Sequence, residues 1–212
     1  AYGLIKQESR NLNKNDDRIE LISKYGRKAG EKWYYAVDLT FRSQYYKGYK
    51  TPEDSVKISD FLSPGYITLS LGMDYKPTGN FSVMLSPLTS KFTIVIDDDL
   101  SSLGAYGVAV GENIRSELGG YIKLIYKKED VVKNVDFATN VDLFSNYVEN
   151  PEKIDVNWEL FLDMKVNDLL SASIKTHLIY DYDIKFINED TGVEEDQIQF
   201  KEAFGFGITY KF

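Results

Sequence analysis

The sequence predicts an all-β protein: an antiparallel up-and-down transmembrane β-barrel of about ten strands, forming one domain over residues 1–212. Three observations carry that prediction. Apolar and polar residues alternate with period two over long runs, the mark of strands with one greasy and one polar face. The connections between those runs alternate in length: short turns fall near 28–32, 76–80 and 166–170, and long connections at 6–16, 47–64, 97–112 and 185–197. Antiparallel hairpins place alternate connections at opposite ends, and short turns at one end with long loops at the other is the pattern of outer-membrane barrels. The connection at 149–153 is the exception, brief where length is expected. Third, the polar faces carry more charge than a packed core accepts.

Composition narrows the classes. There is no cysteine, so disulfides and thiol chemistry are excluded, and the lone histidine, His177, argues against His-rich metal sites. No stretch of about eighteen apolar residues exists, so no transmembrane helix is predicted; transmembrane strands of alternating polarity escape a hydropathy scan. A net charge of -8 and a pI near 4.8 argue against nucleic acid as a partner.

In order, Leu4-Ile5 reads as the end of a first strand and 6–16 as a polar loop. The opening Ala1–Ile5 looks like the inside of a strand, so an upstream segment is expected. Ile19, Leu21, Ser23 and Tyr25 alternate with Arg18, Glu20, Ile22 and Lys24. The clearest strand follows: Trp33, Tyr35, Val37, Leu39, Phe41 and Tyr45 oppose Tyr34, Ala36, Asp38, Thr40, Arg42 and Gln44. Ile67, Leu69, Leu71, Met73 and Tyr75 form the next apolar face. After the turn at 76–80, Phe81, Val83 and Leu85 lead; the apolar parity then slips by one between Pro87 and Phe92, which predicts a β-bulge or, alternatively, a break at 88–90.

Further strands are predicted over 114–126, 135–147, 154–165 and 173–183, with 127–134 a charged turn. In the terminal run Ile198, Phe200, Phe204, Phe206, Ile208, Tyr210 and Phe212 share one face, interrupted by Glu202. An aromatic C-terminal strand resembles the sorting signal of bacterial outer-membrane barrels, here carried by Phe206, Tyr210 and Phe212.

Alternation alone does not say which face is inside. Loop asymmetry and the terminal aromatic strand select the membrane reading, with the apolar band toward lipid and a polar lumen lined by Arg42, Asp74, Arg115, Glu117, Lys123, Glu159, Asp163, Lys175, His177 and Lys201. Aromatics fall at girdle depths: Trp33, Tyr35, Tyr75, Tyr126, Tyr210 and Phe212 near the short turns, and Tyr45, Tyr147 and Tyr182 near the other end.

The runs ISDFLSPGYITLSLGMDYKP (58–77), NFSVMLSPLTSKFTIVIDD (80–98), GGYIKLIYKKE (119–129), LFSNYVENPEKIDVNWE (143–159) and FGFGITYKF (204–212) resemble a Bacteroidota family of outer-membrane β-barrels of unknown function. The resemblance implies a secreted precursor, an integral outer-membrane location, insertion by the barrel-assembly machinery, and about twelve strands at full length, the extra ones preceding a segment like AYGLI. It brings no activity and no catalytic residues.

Candidate chemistry is sparse. His177 is the sole base available to a Ser-His lipid hydrolase, but its parity places it on the polar face with Lys175 and Asp181, which favours a hydrogen-bonding role. Asp97-Asp98-Asp99 and Glu194-Glu195-Asp196 read as solvated acidic loops rather than calcium sites. Gly104–Gly111 lacks the helix that a phosphate loop needs. No metal, cofactor or catalytic residue is expected. The expected partners are outer-membrane lipid and a larger envelope complex, in which the chain serves as an accessory or structural subunit. A narrow channel for small polar solutes is the alternative, ahead of a lipid hydrolase and a soluble β-sandwich binding protein.

Overall fold

The structure, a computed structural model, describes residues 2–5, 13–49, 56–187 and 194–208. The strands are β1 (Tyr2–Ile5), β2 (Asn13–Asp17), β3 (Ile19–Lys28), β4 (Trp33–Ser43), β5 (Gly48–Tyr49), β6 (Lys57–Ser59), β7 (Gly65–Thr78) and β8 (Phe81–Ile94). A five-residue helix, α1 (Asp98–Ser102), and a 3-10 turn (Ala105–Gly107) follow. The chain continues with β9 (Ile114–Val132), β10 (Val135–Asn146), β11 (Ile154–Lys165), β12 (Leu170–Tyr180), β13 (Lys185–Ile187), β14 (Glu194–Asp196) and β15 (Gln199–Ile208).

The protein is all-β. Nine strands form one antiparallel up-and-down sheet in the order β15-β12-β11-β10-β9-β8-β7-β4-β3, so β15 and β3 are its edges. Three small pairs stand apart: β1-β2, β5-β6 and β13-β14. Two compact units divide the chain. Unit one holds 1–25, 37–70 and 89–118; unit two holds 26–36, 71–88 and 119–212.

Several sequence expectations need correcting. The loop expected over 6–16 contains most of a strand, Asn13–Asp17, which pairs with Tyr2–Ile5 as a short hairpin. The expected turn at 127–134 is mostly strand: β9 runs to Val132, with Lys127 opposite Ala138 and Val132 opposite Val135, and its turn is confined to Lys133-Asn134. Charge gave the wrong signal there, because the arm is exposed on both faces and no face of it needs apolar residues. β12 starts at Leu170 and ends at Tyr180, leaving Asp181–Asp183 outside the strand. The long connections at 47–64, 97–112 and 185–197 contain β5-β6, α1 and β13-β14 respectively. Tyr210 and Phe212 lie outside the described residues.

The parity slip in β8 is present. Met84 and Ser86 are buried on even numbers, then Thr89 and Thr93 on odd ones, while the strand runs unbroken through Pro87. One residue is absorbed without ending the strand, which is what a bulge does, and the alternative break at 88–90 is not observed.

Burial is inverted relative to an ordinary globular protein. Among the described residues fifteen polar or charged side chains are buried against seven apolar ones. In β4, Asp38 is 2% exposed and its neighbour Leu39 44%; in β7, Asp74 is 1% exposed while Leu69 and Leu71 lie open. In β4, β7, β8 and β9 the exposed Val37, Leu39, Leu69, Leu71, Leu85, Leu118 and Ile122 each stand next to a buried polar residue. A small apolar core does exist in unit one, where Val95, Leu100 and Val108 pack with Ala105 and Tyr106 beneath α1.

Candidate functional site

In unit two, the antiparallel register of β9 through β15 aligns polar residues into rungs. Lys123 stands opposite Asp142, and Asp142 opposite Asn157. Two residues along, Asn140 faces Glu159, Glu159 faces His177, and His177 faces Lys201. Residues directly opposite across a pair share a face, with Cβ atoms about 5 Å apart. Period-two sequence and antiparallel register together therefore gather these side chains on one surface.

Hydrogen bonds tie the rungs together. The Tyr121 hydroxyl donates to Asp142 Oδ1 at 2.6 Å, and Asn157 Nδ2 donates to Asp142 Oδ2 at 3.2 Å. His177 Nε2 lies 2.6 Å from Asn157 Oδ1 and 3.7 Å from Glu159 Oε1. A proton on Nε2 therefore faces two acceptors. Tyr121, Lys123 and Asp142 are buried; Asn157, Glu159 and His177 are half-buried. Asn140 Oδ1 is buried without a hydrogen-bond partner among the described residues. Nearer the short turns, Ser82 Oγ donates to Asp74 Oδ1 at 2.6 Å and Lys76 Nζ sits 3.1 Å from Asp74 Oδ2. Buried charge is tolerated when it is paired and hydrogen-bonded, and such networks lock strand register more than they add net stability.

Unit one carries a second polar set. Arg42 Nε lies 2.7 Å from Glu20 Oε1, and Arg18 reaches the same oxygen at 2.8 Å. Glu117 is buried between Arg115 at 3.5 Å and Lys91 at 3.7 Å. Asp97, read from the sequence as part of a solvated acidic loop, instead caps α1 by accepting from the Leu100 N–H at 3.1 Å and pairs with Lys57. Asp99 and Asp60 lie 3.3 and 3.9 Å from the same ammonium. Partial burial pushes the Asp97 carboxyl up, but the Lys57 hydrogen bond, the Leu100 N–H and the ammonium's charge outweigh it and hold its pKa below the ordinary value. The hydrogen bond to Asp97, helped by Asp99, holds the Lys57 ammonium above its ordinary value. The Tyr106 hydroxyl donates to the Ile58 carbonyl, and burial pushes its phenol up to about 12.

The ten charged positions singled out from sequence thus fall differently. Lys123, Glu159, His177 and Lys201 share neighbouring rungs in unit two. Asp163, half-buried, stands between Asp136 and Ser173, four positions further along β11 than Glu159. Lys175 and Lys201 are exposed, on β12 and on the edge strand β15. Asp74 has its own lysine, and Arg42, Arg115 and Glu117 belong to the unit-one set. Sequence reasoning passed over Tyr121 and Asn157 as site residues. Their parity with Lys123 and Glu159 was the available signal, but pairing across strands depends on register.

The opposite, apolar surface of unit two is also organised. Trp33 and Tyr75 pack as a tilted pair with centroids 4.7 Å apart, and Phe81, Tyr126 and Phe137 form a chain at 6.4 and 5.9 Å. Phe204, Phe206 and Ile208 of the terminal strand are exposed, Phe206 by 88%.

A family model described as a protein of unknown function (DUF3078) matches residues 1–49. The match ends before the first of the runs, beginning at residue 58, that carry the outer-membrane resemblance. No curated protein and no solved structure matches the chain.

Proposed function

We propose that this chain is an integral outer-membrane β-barrel protein of a Bacteroidota-type envelope, acting as a structural or accessory subunit of a larger outer-membrane assembly. The observation that carries the reading is the inverted burial: Asp38 and Asp74 are covered while Leu39, Leu69, Leu71 and Phe206 are open. A water-soluble protein gains stability by the reverse arrangement, at about 25 cal/mol for each Å² of apolar surface removed from water. Leaving so many apolar side chains exposed is favourable only where the surroundings are themselves apolar. The aromatic row at Trp33, Tyr75, Phe81 and Tyr126 supports the same reading, since aromatic rings concentrate at membrane interfaces.

The accessory role, rather than a channel, is supported by how the buried charges are used. Glu117, Asp142 and Asp74 are each engaged by side chains of the same or neighbouring strands. Charges that satisfy one another hold strands in place and leave less free field for a permeating solute. His177, likewise, is engaged by an amide and a carboxylate, so His177→Gln is expected to leave phospholipid turnover unchanged.

The test uses the two tryptophans, both exposed on the apolar face. In vesicles of brominated phospholipid, both are expected to be quenched, Trp158 more by deep bromines and Trp33 more by shallow ones. Unquenched emission would overturn the membrane reading. In planar bilayers the purified chain is expected to give no steady unit conductance; a reproducible conductance step would replace the accessory role with a channel.

A further inference from the structure

We propose that the short-turn end of unit two is a collar that docks anionic phospholipid headgroups, formed by Lys32, Lys76, Lys127, Lys128, Lys133 and Lys165. The inference rests on the membrane reading above and adds to it a lipid preference and the residues that set it.

The turn segments 27–32, 76–80, 127–134 and 165–169 hold eight basic and four acidic side chains, in a chain whose net charge is -8. The connections 147–153 and 181–198, which leave unit two from the other strand ends, hold two basic and nine acidic ones. Basic charge is therefore concentrated at one end against the overall sign. Backbone hydrogen bonds link neighbouring turn segments: Lys76 N–H donates to Lys32 O at 2.8 Å, Lys127 N–H to Asn80 O at 2.9 Å, and Lys165 N–H to Asn134 O, next to Lys133, at 2.9 Å. All six lysines are exposed.

The aromatic row lies directly behind them. Lys32 precedes Trp33, Tyr75 precedes Lys76, and Tyr126 precedes Lys127, so each ammonium stems from one residue nearer the strand end than a ring, on the other face of the pleat, while Lys128 shares the face of Tyr126. A strand rises about 3.3 Å per residue, and a lysine stem extends its charge further outward while its methylenes stay with apolar surface. Apolar band, rings and ammonium groups thus follow in the order of acyl chain, interface and phosphate. That succession selects a lipid surface over a soluble polyanion, which has no use for the rings or the band. The collar is not wholly free: Lys76 lies 3.1 Å from Asp74 and 5.5 Å over the Tyr34 ring, and Lys165 lies 3.9 Å from Asp136. Lys127 and Lys128 on the long β9 arm and Lys133 in the turn that follows it are the main headgroup ligands.

The full chain is reconstituted in phosphatidylcholine bilayers, and the motionally restricted fraction of spin-labelled phosphatidylglycerol is compared with that of spin-labelled phosphatidylcholine by electron spin resonance. A preference for phosphatidylglycerol of about threefold or more is expected from several lysines near an anionic surface. It is expected to fall toward unity in 1 M salt, where the Debye length is about 3 Å, and in a combined Lys32→Gln, Lys127→Gln, Lys128→Gln and Lys133→Gln variant. Lys153→Gln, at the other end, is expected to retain it. Equal restriction of both lipids by the wild-type chain, or an undiminished preference in the fourfold variant, would overturn the collar and leave the membrane reading standing. Restriction of neither lipid removes the membrane reading and the collar with it. Abolition of the preference by millimolar inorganic phosphate would mark a soluble-anion site and overturn the proposal as well.

Discussion

The Tyr121 hydroxyl donates to Asp142 Oδ1 at 2.6 Å across the β9-β10 pair, and both side chains are buried. Asp142 also accepts from Asn157 and stands opposite Lys123. Removing the phenol costs one hydrogen bond to a charged acceptor; removing the carboxylate orphans two donors beside a buried lysine. Tyr121→Phe is therefore expected to destabilise by about 1–2 kcal/mol and Asp142→Ala by about 3 kcal/mol or more. Denaturant unfolding of the refolded chain measures both, and equal effects would show that the network is not centred on Asp142.

Gly72 has no room for a side chain. A Cβ there would meet the Leu85 carbonyl oxygen at 2.1 Å and the Ser86 Cα at 2.6 Å, both backbone atoms that cannot step aside. Gly72→Ala is expected to abolish folding or to cost several kcal/mol, beyond the ~1–3 kcal/mol of common overpacking. Gly79 in the adjacent turn meets nothing within 4 Å, and Gly79→Ala is expected to be tolerated. Parallel refolding yields of the two variants decide the matter.

Ile122 and Lys123 are neighbours on β9, the first exposed and the second buried. Ile122→Arg on a water-facing surface is expected to change stability by no more than about 0.5 kcal/mol. On a lipid-facing surface it is expected to cost about 2–4 kcal/mol. The membrane reading requires the larger value, read from unfolding out of phospholipid vesicles.

The Lys57–Asp97 pair makes the α1 segment sensitive to pH at both extremes. Asp97 has a folded pKa below its ordinary 3.8, so its contribution is present above 3.8 and is lost as pH falls through the lower, folded value. Lys57 has a folded pKa above its ordinary 10.5, so its contribution is complete below 10.5 and is lost as pH rises through the higher, folded value. Protease cleavage within 97–112 is expected to rise at both limits and to stay low between them. Asp97→Asn, which keeps a capping oxygen but loses the ion pair, is expected to abolish the acid limb and to shrink the alkaline limb to what Asp99 still supplies.

Much of the architecture was legible because period two is a local signal. The residues from Trp33 to Ser43 and from Val135 to Asn146 announce their strands and faces within a few positions. Even the slip in β8 could be read, since Leu85 and Phe92 fall on different parities within one continuous apolar run. The helix at Asp98–Ser102 could not: at five residues it is too short for a helical period, and it exists because Leu100 packs on Val95 and Val108. The β9 arm was misread because its charges suit an exposed strand as well as a turn.

The candidate site divides along the same line. Lys123, Glu159 and His177 were visible as polar residues of matching parity. That His177 meets Asn157 and Glu159, and that Tyr121 meets Asp142, depends on a register of pairing that no single strand encodes. The sequence by itself determined where the long central strands run, which of their residues share a face, and that one face is apolar and the other charged. Only the tertiary structure decided which of those faces is covered, because alternation reads the same with inside and outside exchanged. The folded sheet breaks that symmetry: it covers Asp38, Asp74 and Asp142 and leaves Leu39, Leu71 and Ile122 open.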